Sequence, residues 1–252
     1  MAGAAVRGRL TWQIAEVVDL LPETARVRSI VFRVPGWSGH LPGQHVDLRL
    51  TAEDGYQAQR SYSIATPGDA DRVTISVELI EDGEVSPYLF AELRVGDRIE
   101  LRGPIGGYFV WEPGQGGPLQ LIGGGSGVVP LMAMVRARVA AGSDVPVRYL
   151  SSARSLDDVL YRDELEAAAG PGDGVEVLHT LTRAHPEGWP GPTRRVDRDM
   201  LAAHGWPPGR RPRCFVCGPT PFVETVASIL VDLGHDPGLI RTERFGPSGG
   251  SP

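Results

Sequence analysis

The amino-acid sequence predicts two domains of different classes: an antiparallel six-stranded β-barrel at residues 1–113, followed by a doubly wound α/β domain with a parallel sheet at residues 118–252. Three observations carry this prediction. The first half holds six short runs rich in Val, Ile and Leu, and the second half alternates apolar runs with helical segments. A Pro/Gly-rich segment at residues 112–118 separates the two patterns. Each half is long enough to bury a core of its own.

The strands of the first half are expected at residues 10–20, 26–34, 45–51, 60–65, 72–80 and 98–102, with Gly, Pro and Asp between them. In the fifth run, Val73, Ile75 and Val77 alternate with polar residues, as in a strand that buries one face. Six such strands predict a small closed barrel. Residues 85–93 are expected to form one short helix between strands.

The second half is expected to place strands at residues 119–122, 147–150, 175–181, 213–217 and 240–244. Helices are expected from a Gly-rich turn to about residue 141, and at 157–169, 197–204 and 221–233. Thr220 is predicted to cap the last helix, Pro221 to occupy its first turn and Gly234 to end it. Alternating strands and helices predict a parallel sheet with helices on both faces.

Charge and the length of apolar runs argue against two classes of partner. A net charge of −6 is unfavourable for a protein whose main partner is nucleic acid. No apolar run approaches the ~18–20 residues that a membrane span needs. Residues 1–9 lack the apolar stretch of a signal peptide. We therefore expect a cytoplasmic protein that binds neither nucleic acid nor membranes.

The two cysteines, Cys214 and Cys217, have the spacing of a redox or metal-binding pair. They flank an apolar run that reads as a buried strand, and side chains three residues apart on a strand point to opposite faces. Neither a disulfide nor a shared metal is therefore expected. Two cysteines also cannot supply the four ligands that an iron–sulfur cluster usually needs. The histidines show no metal-binding spacing, so no metal site is predicted.

A four-residue segment of the barrel, Arg60-Ser61-Tyr62-Ser63, combines a cation, an aromatic ring and hydroxyl groups. A flavin nucleotide needs these groups: a cation for its phosphate, a ring beside the isoalloxazine and a hydroxyl near the reactive nitrogen. Taken alone, the segment is explained equally well by an edge strand with a solvated arginine.

Glycine-rich segments follow at positions where a chain can approach phosphate groups. Residues 83–86 (Gly-Glu-Val-Ser) form a turn into a helix, where backbone N–H groups bind phosphate. Residues 103–109 (Gly-Pro-Ile-Gly-Gly-Tyr-Phe) end a barrel strand. Residues 123–130 follow a strand and open a helix, which favours binding of a pyrophosphate. Residues 217–219 (Cys-Gly-Pro) follow a strand of the α/β sheet, at the edge where ligands collect.

In this order, the segments Arg-x-Tyr-Ser, Gly-x-Val-Ser, Gly-Pro-x-Gly, the Gly-rich Ser-Gly turn and Cys-Gly-Pro resemble the ferredoxin–NADP reductase family. The resemblance covers nearly the whole chain. It is to the branch that includes the reductase parts of flavohaemoglobins and of multicomponent oxygenases. It implies a flavin-binding barrel and an NAD(P)-binding α/β domain. The implied activity is that of an NAD(P)H-dependent flavoprotein reductase that transfers a hydride onto the flavin.

The resemblance also implies a cofactor and a partner. FAD is favoured over FMN because of the phosphate-binding turn after Gly83. An appended iron–sulfur domain is not expected, because the chain ends within a few residues of Phe245. Electrons would then pass to a separate acceptor protein, which is expected to be a ferredoxin or an oxygenase component.

The resemblance gives roles to individual barrel residues. Arg60 would bind the flavin phosphates, and Tyr62 would pack along the isoalloxazine and ribityl chain. Ser63 would hydrogen-bond near the flavin N5, and His45 would be a contact rather than a base. Ser61, within the same motif, is a further expected flavin-binding position. The backbone at Val77, Glu78 and Leu79 would border the flavin ring. The pyrophosphate would be held by Gly83, Val85 and Ser86.

The second domain is expected to contribute catalytic groups as well. Cys217 would lie close to the hydride-bearing carbon of nicotinamide, with a buried core thiol as the alternative. Glu243 would be a proton or hydrogen-bond partner near the flavin, and Phe245 would shield the ring, unless both simply lie in an edge strand. The predicted catalytic residues are therefore Ser63, Cys217 and Glu243. Further nucleotide contacts are expected at Gly125, Ser126, Gly127, Gly218 and Pro219.

The residues after the second strand of the α/β domain bear on the choice between NADPH and NADH. Ser152 and Arg154 stand where family members that prefer NADPH place groups for the 2′-phosphate, and Arg183 is a possible support. An acidic residue there would instead favour NADH. NADPH is therefore favoured. The competing interpretation is that Arg154 forms an ion pair with Asp157 or Asp158.

Two other functions remain open at the level of sequence. In the first of these functions, the chain would be a flavin-binding electron-transfer subunit of a larger complex. In the second it would be a non-enzymatic dinucleotide-binding module. The second explains the Gly-rich turn but leaves the segment at residues 60–63 without a function.

Overall fold

The computed structural model of this chain describes residues 10–68, 71–170 and 172–246. The strands of its first half are β1 (Trp12–Pro22), β2 (Val27–Arg33), β3 (His45–Thr51), β4 (Gln57–Ser63), β5 (Arg72–Glu78) and β6 (Arg98–Ile105). They form one antiparallel sheet in the spatial order β4-β3-β6-β1-β2-β5, which confirms the six predicted strands. The outer ends of the two predicted domains, at residues 1–9 and 247–252, lie outside the described residues.

The sheet curves until its two edge strands approach each other. Ile64, directly after β4, pairs with Ile75 of β5, and the Ala65 amide donates to the Thr74 carbonyl at 2.7 Å. Alternate residues of β5 are fully buried, as the sequence pattern predicted. The barrel interior is filled by apolar side chains from all around the sheet, among them Ala15, Phe32, Leu48, Ala58, Ile75 and Leu101.

The helix predicted at residues 85–93 is shorter than expected. It consists mainly of a five-residue π-helical turn, Tyr88–Glu92, which follows Pro87 and ends at Leu93. Leu89 is fully buried and anchors the turn to the barrel core. The turn covers the interior of the barrel rather than forming a separate helical layer.

Within its described residues, the second half contains five parallel strands and four α-helices. The strands are β7 (Leu119–Gly124), β8 (Val147–Ala153), β9 (Val175–Leu181), β10 (Arg213–Pro219) and β11 (Ile240–Phe245). Their spatial order is β11-β10-β7-β8-β9. The helices are α1 (Val128–Ala140), α2 (Arg162–Ala168), α3 (Arg198–His204) and α4 (Thr220–Asp232).

Helices cover both faces of this sheet, as predicted. Leu121 of β7 and Phe215 of β10 belong to an apolar cluster that includes residues of α1. Their neighbours Ile122 and Val216 point to the other face and belong to a cluster that includes residues of α3 and α4. Adjacent residues on a strand point to opposite faces, so the continuous apolar runs of β7 and β10 serve both layers.

Two details of the helices differ from the prediction. β10 extends to Pro219, two residues beyond its predicted end, and α4 therefore starts at Thr220 itself. Pro219 takes the cap position without a side-chain hydrogen bond, so the prediction that Thr220 caps the helix is wrong. The helix predicted at residues 157–169 begins only at Arg162, because Tyr161 adopts a left-handed conformation with φ of 56°. Gly234, with φ of 94°, follows α4 as predicted.

The two cysteines are free and buried, and they lie on opposite faces of β10. Cys217 belongs to the cluster on the α1 face, whereas Cys214 belongs to the cluster on the α4 face. This arrangement confirms the prediction from their spacing that they do not form a disulfide.

The barrel and the parallel sheet share one apolar cluster. Phe109 and Trp111, which follow the barrel, pack in the same cluster as Tyr149 of β8. The Arg241 guanidinium also donates to the Val110 carbonyl at 2.7 Å. These contacts pack the parallel sheet against the barrel. No helix in the described parts of the chain is long and apolar enough to cross a membrane.

Candidate active site at the junction of barrel and sheet

The strand order of the parallel sheet reverses between β7 and β10. From β7 the chain passes to β8 and β9 on one side, and it then returns to β10 on the other side. In open α/β sheets, ligands bind at the carboxyl ends of the strands where such a reversal occurs. The Gly-rich turn, residues 125–127, lies at this point and leads directly into α1.

Glycine is required in this turn for steric reasons. A Cβ atom placed on Gly127 would lie 2.3 Å from the carbonyl oxygen of Cys217 and 2.5 Å from its carbonyl carbon. The turn after β7 therefore touches the end of β10 through backbone atoms alone. Gly125 has φ of 56° and faces open space, so that it serves the conformation of the turn rather than its packing. Ser126, between them, is half-buried.

Two candidate catalytic residues lie next to each other on β10 and β11. Cys217 is paired in register with Glu243, and its thiol is almost completely buried. Burial raises the pKa of the Cys217 thiol well above its ordinary value, so that the neutral thiol is the stable form at neutral pH. Burial also raises the pKa of the Glu243 carboxyl from 4.5 to about 7.

The barrel contributes the other side of this junction. The His45 Nδ1 atom lies 3.7 Å from Glu243 Oε1, and burial lowers the pKa of the His45 imidazole. His45 is directly opposite Ser63 across the β3–β4 pair. The structure thus brings three of the predicted residues, His45, Ser63 and Glu243, to one place, with Cys217 adjacent through β10.

The charged part of the barrel site lies further along β4. Arg60 donates to Glu84 Oε2 at 2.6 Å, and the Tyr56 hydroxyl donates to Glu84 Oε1 at 2.8 Å. Arg60 is exposed, whereas Tyr62, two residues further along, is half-buried against the barrel core and the pKa of its phenol is raised by burial. The ion pair joins the Arg60 strand to the turn at residues 83–86. Sequence reasoning missed Tyr56 and Glu84, because Glu84 is 24 residues from its partner.

The side chains of two predicted flavin-binding residues form hydrogen bonds within the protein. The Ser61 hydroxyl donates to Asp47 Oδ1 at 2.6 Å, on the opposite face of β4 from Arg60 and Tyr62. The buried Ser86 hydroxyl accepts from the Ile80 amide at 3.1 Å and closes the turn that Gly83 begins. In this structure both hydroxyls are thus already hydrogen-bonded within the barrel.

The remaining predicted barrel residues lie along β5 and the turn after it. Val77 is fully buried and Glu78 is half-buried at the end of β5. The Leu79 amide donates to the Arg26 carbonyl at 2.8 Å, and its carbonyl accepts from the Arg26 guanidinium at 3.1 Å. Val85 is buried in the barrel core. These residues form a continuous edge beside the Arg60–Glu84 pair.

The predicted nucleotide residues lie at the carboxyl ends of the parallel strands. Ser152 is half-buried near the end of β8, and Arg154 and Arg183 are exposed beyond β8 and β9. The Arg183 amide donates to the Arg154 carbonyl at 2.9 Å, which holds the two segments side by side. Among the described residues, Arg154 forms no ion pair, whereas Asp158 accepts from the Ser155 hydroxyl. On the β10 side, Gly218 and Pro219 close the strand, and Phe245 is 36% exposed at the end of β11.

A barrel with a cation and an aromatic ring on one strand, facing the glycine turn of a doubly wound sheet, defines a flavin- and nicotinamide-nucleotide-binding oxidoreductase. Comparison with known proteins agrees. The family model described as "Oxidoreductase FAD-binding domain" matches residues 17–110. The model described as "Oxidoreductase NAD-binding domain" matches residues 121–228.

Relatives match along most of the chain. Ferredoxin–NADP reductase B of Sorangium cellulosum (strain So ce56) is 33% identical over 242 residues, which cover 92% of this chain and 96% of that protein. NADH-cytochrome b5 reductase 1 of Mortierella alpina is 30% identical over 230 residues, which cover 89% and 75%. The chain spans only between 61% and 66% of the length of several other relatives. They include the ferredoxin–NAD(P)+ reductase component of naphthalene 1,2-dioxygenase/salicylate 5-hydroxylase systems from Ralstonia sp.

The fold has solved counterparts. The FAD/NAD-binding domain of nitric oxide dioxygenase from Vibrio cholerae O1 biovar El Tor matches with a TM-score of 0.83 and 25% identity. The match covers 93% of this chain and 99% of that chain. The chain therefore belongs to the family of FAD- and NAD(P)-dependent oxidoreductases that includes the ferredoxin–NADP reductases and the cytochrome b5 reductases. It is a pyridine-nucleotide flavoprotein reductase by class, as the sequence motifs predicted.

The residues at the junction fit these cofactors. Glu243 Oε2 is buried and has no hydrogen-bond partner among the described residues, although a buried carboxylate oxygen normally has one. Gly125, with φ of 56° and nothing within 4 Å of its Cβ position, leaves uncovered backbone in this turn, as close approach of a dinucleotide requires. Within the described ranges, no group of three or more His, Cys, Asp or Glu side chains is arranged to hold a metal ion.

Proposed function

We propose that this chain transfers a hydride from NADPH to bound FAD and passes the electrons to a separate acceptor protein, a ferredoxin or an oxygenase component. The observation that carries the proposal is the convergence of His45, Ser63, Cys217 and Glu243 at the junction of barrel and sheet. Bound FAD supplies the hydride-accepting ring that no side chain provides. The roles of the chain are to bind, to orient and to hold a proton.

The barrel residues bind and orient the flavin in this proposal. Arg60 exchanges its exposed partner Glu84 for a phosphate, because a guanidinium fork forms strong bidentate contacts with phosphate oxygens. Tyr62 offers a ring that burial already holds in place. Ser63 provides a hydroxyl at the end of β4, directly opposite His45 on β3.

The sheet residues orient the nicotinamide and shield it from water. The Cys217 thiol is neutral, which suits contact with an uncharged carbon centre rather than nucleophilic attack. A pKa of about 7 allows Glu243 to hold or release a proton at its unpartnered Oε2 near neutral pH. His45, with its pKa lowered by burial, stays neutral beside it and serves as a hydrogen-bond partner.

NADPH is the proposed donor because two exposed arginines stand together at the carboxyl ends of β8 and β9. Arg154 and Arg183 are joined through a backbone hydrogen bond, and Arg154 has no carboxylate partner among the described residues. The name of the Sorangium relative, whose length this chain nearly spans, agrees with NADPH and with a ferredoxin acceptor, whereas the Mortierella relative is named for NADH.

The test is an anaerobic titration of the FAD-loaded chain with NADPH and, separately, with NADH, following the flavin absorbance. Fast bleaching by NADPH and much slower bleaching by NADH support the proposal, and faster bleaching by NADH overturns the assignment of Arg154. Arg154→Gln and Arg183→Gln should each weaken NADPH binding by about tenfold and leave NADH binding unchanged, since a charge-assisted hydrogen bond is lost. Arg210→Gln, at the opposite end of the sheet, is the matched control.

The acceptor requires a separate measurement. Turnover of NADPH with an artificial electron acceptor, in the absence of any other protein, supports a reductase that works alone. A chain that binds FAD but shows no such turnover would instead be an electron-transfer subunit of a larger complex. A chain that binds no flavin would be a dinucleotide-binding module.

A further inference from the structure

A buried chain of hydroxyl groups crosses from the barrel to the parallel sheet. The Tyr161 hydroxyl hydrogen-bonds to the Ser76 hydroxyl of β5. Ser76 hydrogen-bonds in turn to Ser29 of β2 at 2.7 Å, and Ser29 donates to Glu23 Oε1 at 2.5 Å. Tyr161, Ser76 and Ser29 are all buried. A buried hydroxyl needs a partner, and across this junction Tyr161 and Ser76 provide it for each other.

Arg136 of α1 strengthens the same crossing. Its guanidinium carbon lies 4.8 Å from the centre of the Tyr161 ring, which is a cation–π contact. Its Nη1 donates to the Ala65 carbonyl of the barrel at 2.8 Å, and its Nε and Nη2 donate to the Glu164 carboxylate at 2.8 and 2.6 Å. The interdomain bridge thus consists of Arg136 and Tyr161 on the sheet side and of Ala65 and Ser76 on the barrel side.

The backbone conformation of Tyr161 is part of the bridge. Its φ of 56° and ψ of 27° lie in the left-handed region, which is unfavourable for a residue other than glycine. Only Arg211 shares a positive φ among the other described non-glycine residues. The surrounding structure must offset this strain. The Tyr161 ring contacts Arg136 and its hydroxyl contacts Ser76, so the side chain is fixed on both sides of the junction.

The anchors of the bridge lie next to the proposed flavin and nicotinamide residues. Ser76 directly precedes Val77 on β5, and Ala65 follows Ser63 by two residues. On the other side, Arg136 belongs to α1, the helix that starts at the Gly-rich turn. The bridge therefore connects the flavin edge of the barrel to the element that carries the nucleotide turn.

We propose that Tyr161 and Arg136 are positioning residues, which hold the nucleotide-binding sheet against the barrel and so set the distance between nicotinamide and flavin. This inference rests on the proposed function. Rates of transfer between bound reactants depend steeply on geometry, and a displacement of 1 Å lowers them by on the order of 100-fold. Loss of one bridging contact should therefore slow the reaction without weakening the binding of either cofactor.

The test compares Tyr161→Phe with a matched control, Tyr149→Phe. Tyr149 lies in the same apolar cluster, and its buried hydroxyl has no partner among the described residues, so removing it breaks no bridge. In stopped-flow mixing of FAD-loaded protein with NADPH, we expect Tyr161→Phe to lower the limiting rate of flavin bleaching by about tenfold. The NADPH dissociation constant and the FAD content should stay within about twofold, and Tyr149→Phe should match the wild type.

Two results overturn the inference. One is a limiting rate for Tyr161→Phe equal to that of Tyr149→Phe. The other is a loss that lies wholly in the NADPH dissociation constant, because Tyr161 would then be a binding group. Arg136→Lys is the second variant: it keeps the charge beside Glu164 but cannot reach Ala65 and Glu164 with separate nitrogens, so a loss similar to that of Tyr161→Phe is expected.

A readout without nucleotide separates failure of the bridge from failure of the proposed function. Amide hydrogen exchange of the FAD-loaded chain should speed up at residues 63–66 and 76–79 in Tyr161→Phe and Arg136→Lys, and not in Tyr149→Phe. Unchanged exchange in both bridge variants overturns the bridge even if NADPH bleaches the flavin. If neither nucleotide bleaches the wild-type flavin, the proposed function fails, and the exchange measurement still decides whether the bridge exists.

Discussion

The barrel and the parallel sheet build their halves of the site in different ways. On the barrel, the proposed recognition groups are side chains on an exposed strand, and Arg60 and Glu84 are 52% and 50% exposed. On the sheet, the corresponding groups are backbone atoms in a glycine turn, packed so closely that a Cβ on Gly127 would overlap the Cys217 carbonyl. The first arrangement can adjust by rotating side chains. The second can adjust only by moving a strand or a helix.

Because of this difference, a substitution should affect stability differently in the two halves of the site. An exposed ion pair contributes little to stability, because water and salt screen it and two long side chains lose freedom. Close backbone packing between β7 and β10 is part of the core of the sheet, and a clash there disturbs both strands. Substitutions in the barrel half should therefore change cofactor affinity, whereas substitutions in the glycine turn should change folding.

Gly127→Ala should have the largest effect and tests the claim about the sheet. The new Cβ would lie 2.3 Å from a backbone oxygen that cannot rotate away, so we expect a loss of more than about 3 kcal/mol in the free energy of unfolding. Chemical denaturation followed by circular dichroism measures it. Gly114→Ala, in the connecting segment where a Cβ meets nothing within 4 Å, is the control and should change stability by less than about 0.5 kcal/mol. If Gly127→Ala and Gly114→Ala are equally stable, the glycine turn is not closely packed against β10 and the contrast between the two halves of the site is wrong.

Glu243→Gln tests the junction, where the two halves meet. The pKa of Glu243 is raised from 4.5 to about 7, so the folded chain binds an extra proton between these values and its stability falls as the pH rises through that window. Glutamine removes this dependence. The difference in free energy of unfolding between wild type and variant should change by at most about 1.4 kcal/mol per pH unit and level off above pH 7.

The control for this pH dependence is Glu100→Gln on the barrel. There a hydrogen bond and the charge of Arg49 lower the pKa of the carboxyl, so its contribution to stability is lost as the pH falls below 4.5. Denaturation curves from about pH 2 to pH 8 cover both windows, the one below pH 4.5 for Glu100 and the one from pH 4.5 to about 7 for Glu243. A Glu243 variant whose difference from wild type stays constant between pH 5 and pH 7 would contradict the raised pKa.

The same contrast explains which features could be predicted from sequence. The positions of the strands and of the glycine turn follow from local patterns, since alternation, apolar runs and Gly-rich turns are properties of neighbouring residues. The order of five motifs then indicated the family. Contacts between distant segments leave no local pattern: Glu84 is 24 residues from Arg60, and Tyr161 is 85 residues from Ser76. The left-handed Tyr161 also shortened α2 against helix propensity, because tertiary contacts override a weak local preference.

Arg60→Gln tests the barrel half. Loss of the guanidinium removes charge-assisted hydrogen bonds to the flavin phosphates, each worth about 1.5–3 kcal/mol, so we expect the FAD dissociation constant to rise by about 10- to 100-fold. Titration of the flavin-free protein, followed by quenching of FAD fluorescence, gives the constant. Arg49→Gln, whose guanidinium pairs with Glu100 on the same barrel, is the control and should leave FAD affinity unchanged. If Arg60→Gln lowers the stability of the protein but leaves the FAD affinity unchanged, the Arg60 side chain does not bind the flavin phosphates.

Glu84→Gln should have the smallest effect, and in the opposite direction. Glu84 occupies Arg60 in this structure and places a negative charge where a phosphate would bind, so it competes with FAD for the same guanidinium. Removing that charge should tighten FAD binding by about two- to fivefold, because an exposed pair is weak. The gain should shrink as salt is raised, since screening weakens both the competition and the repulsion.

The Tyr56 hydroxyl donates to the same carboxylate, so Tyr56→Phe, which keeps the charge and removes only this bond, serves as the control. Weaker FAD binding in Glu84→Gln would mean that Glu84 orients Arg60 toward the phosphate instead of competing with it.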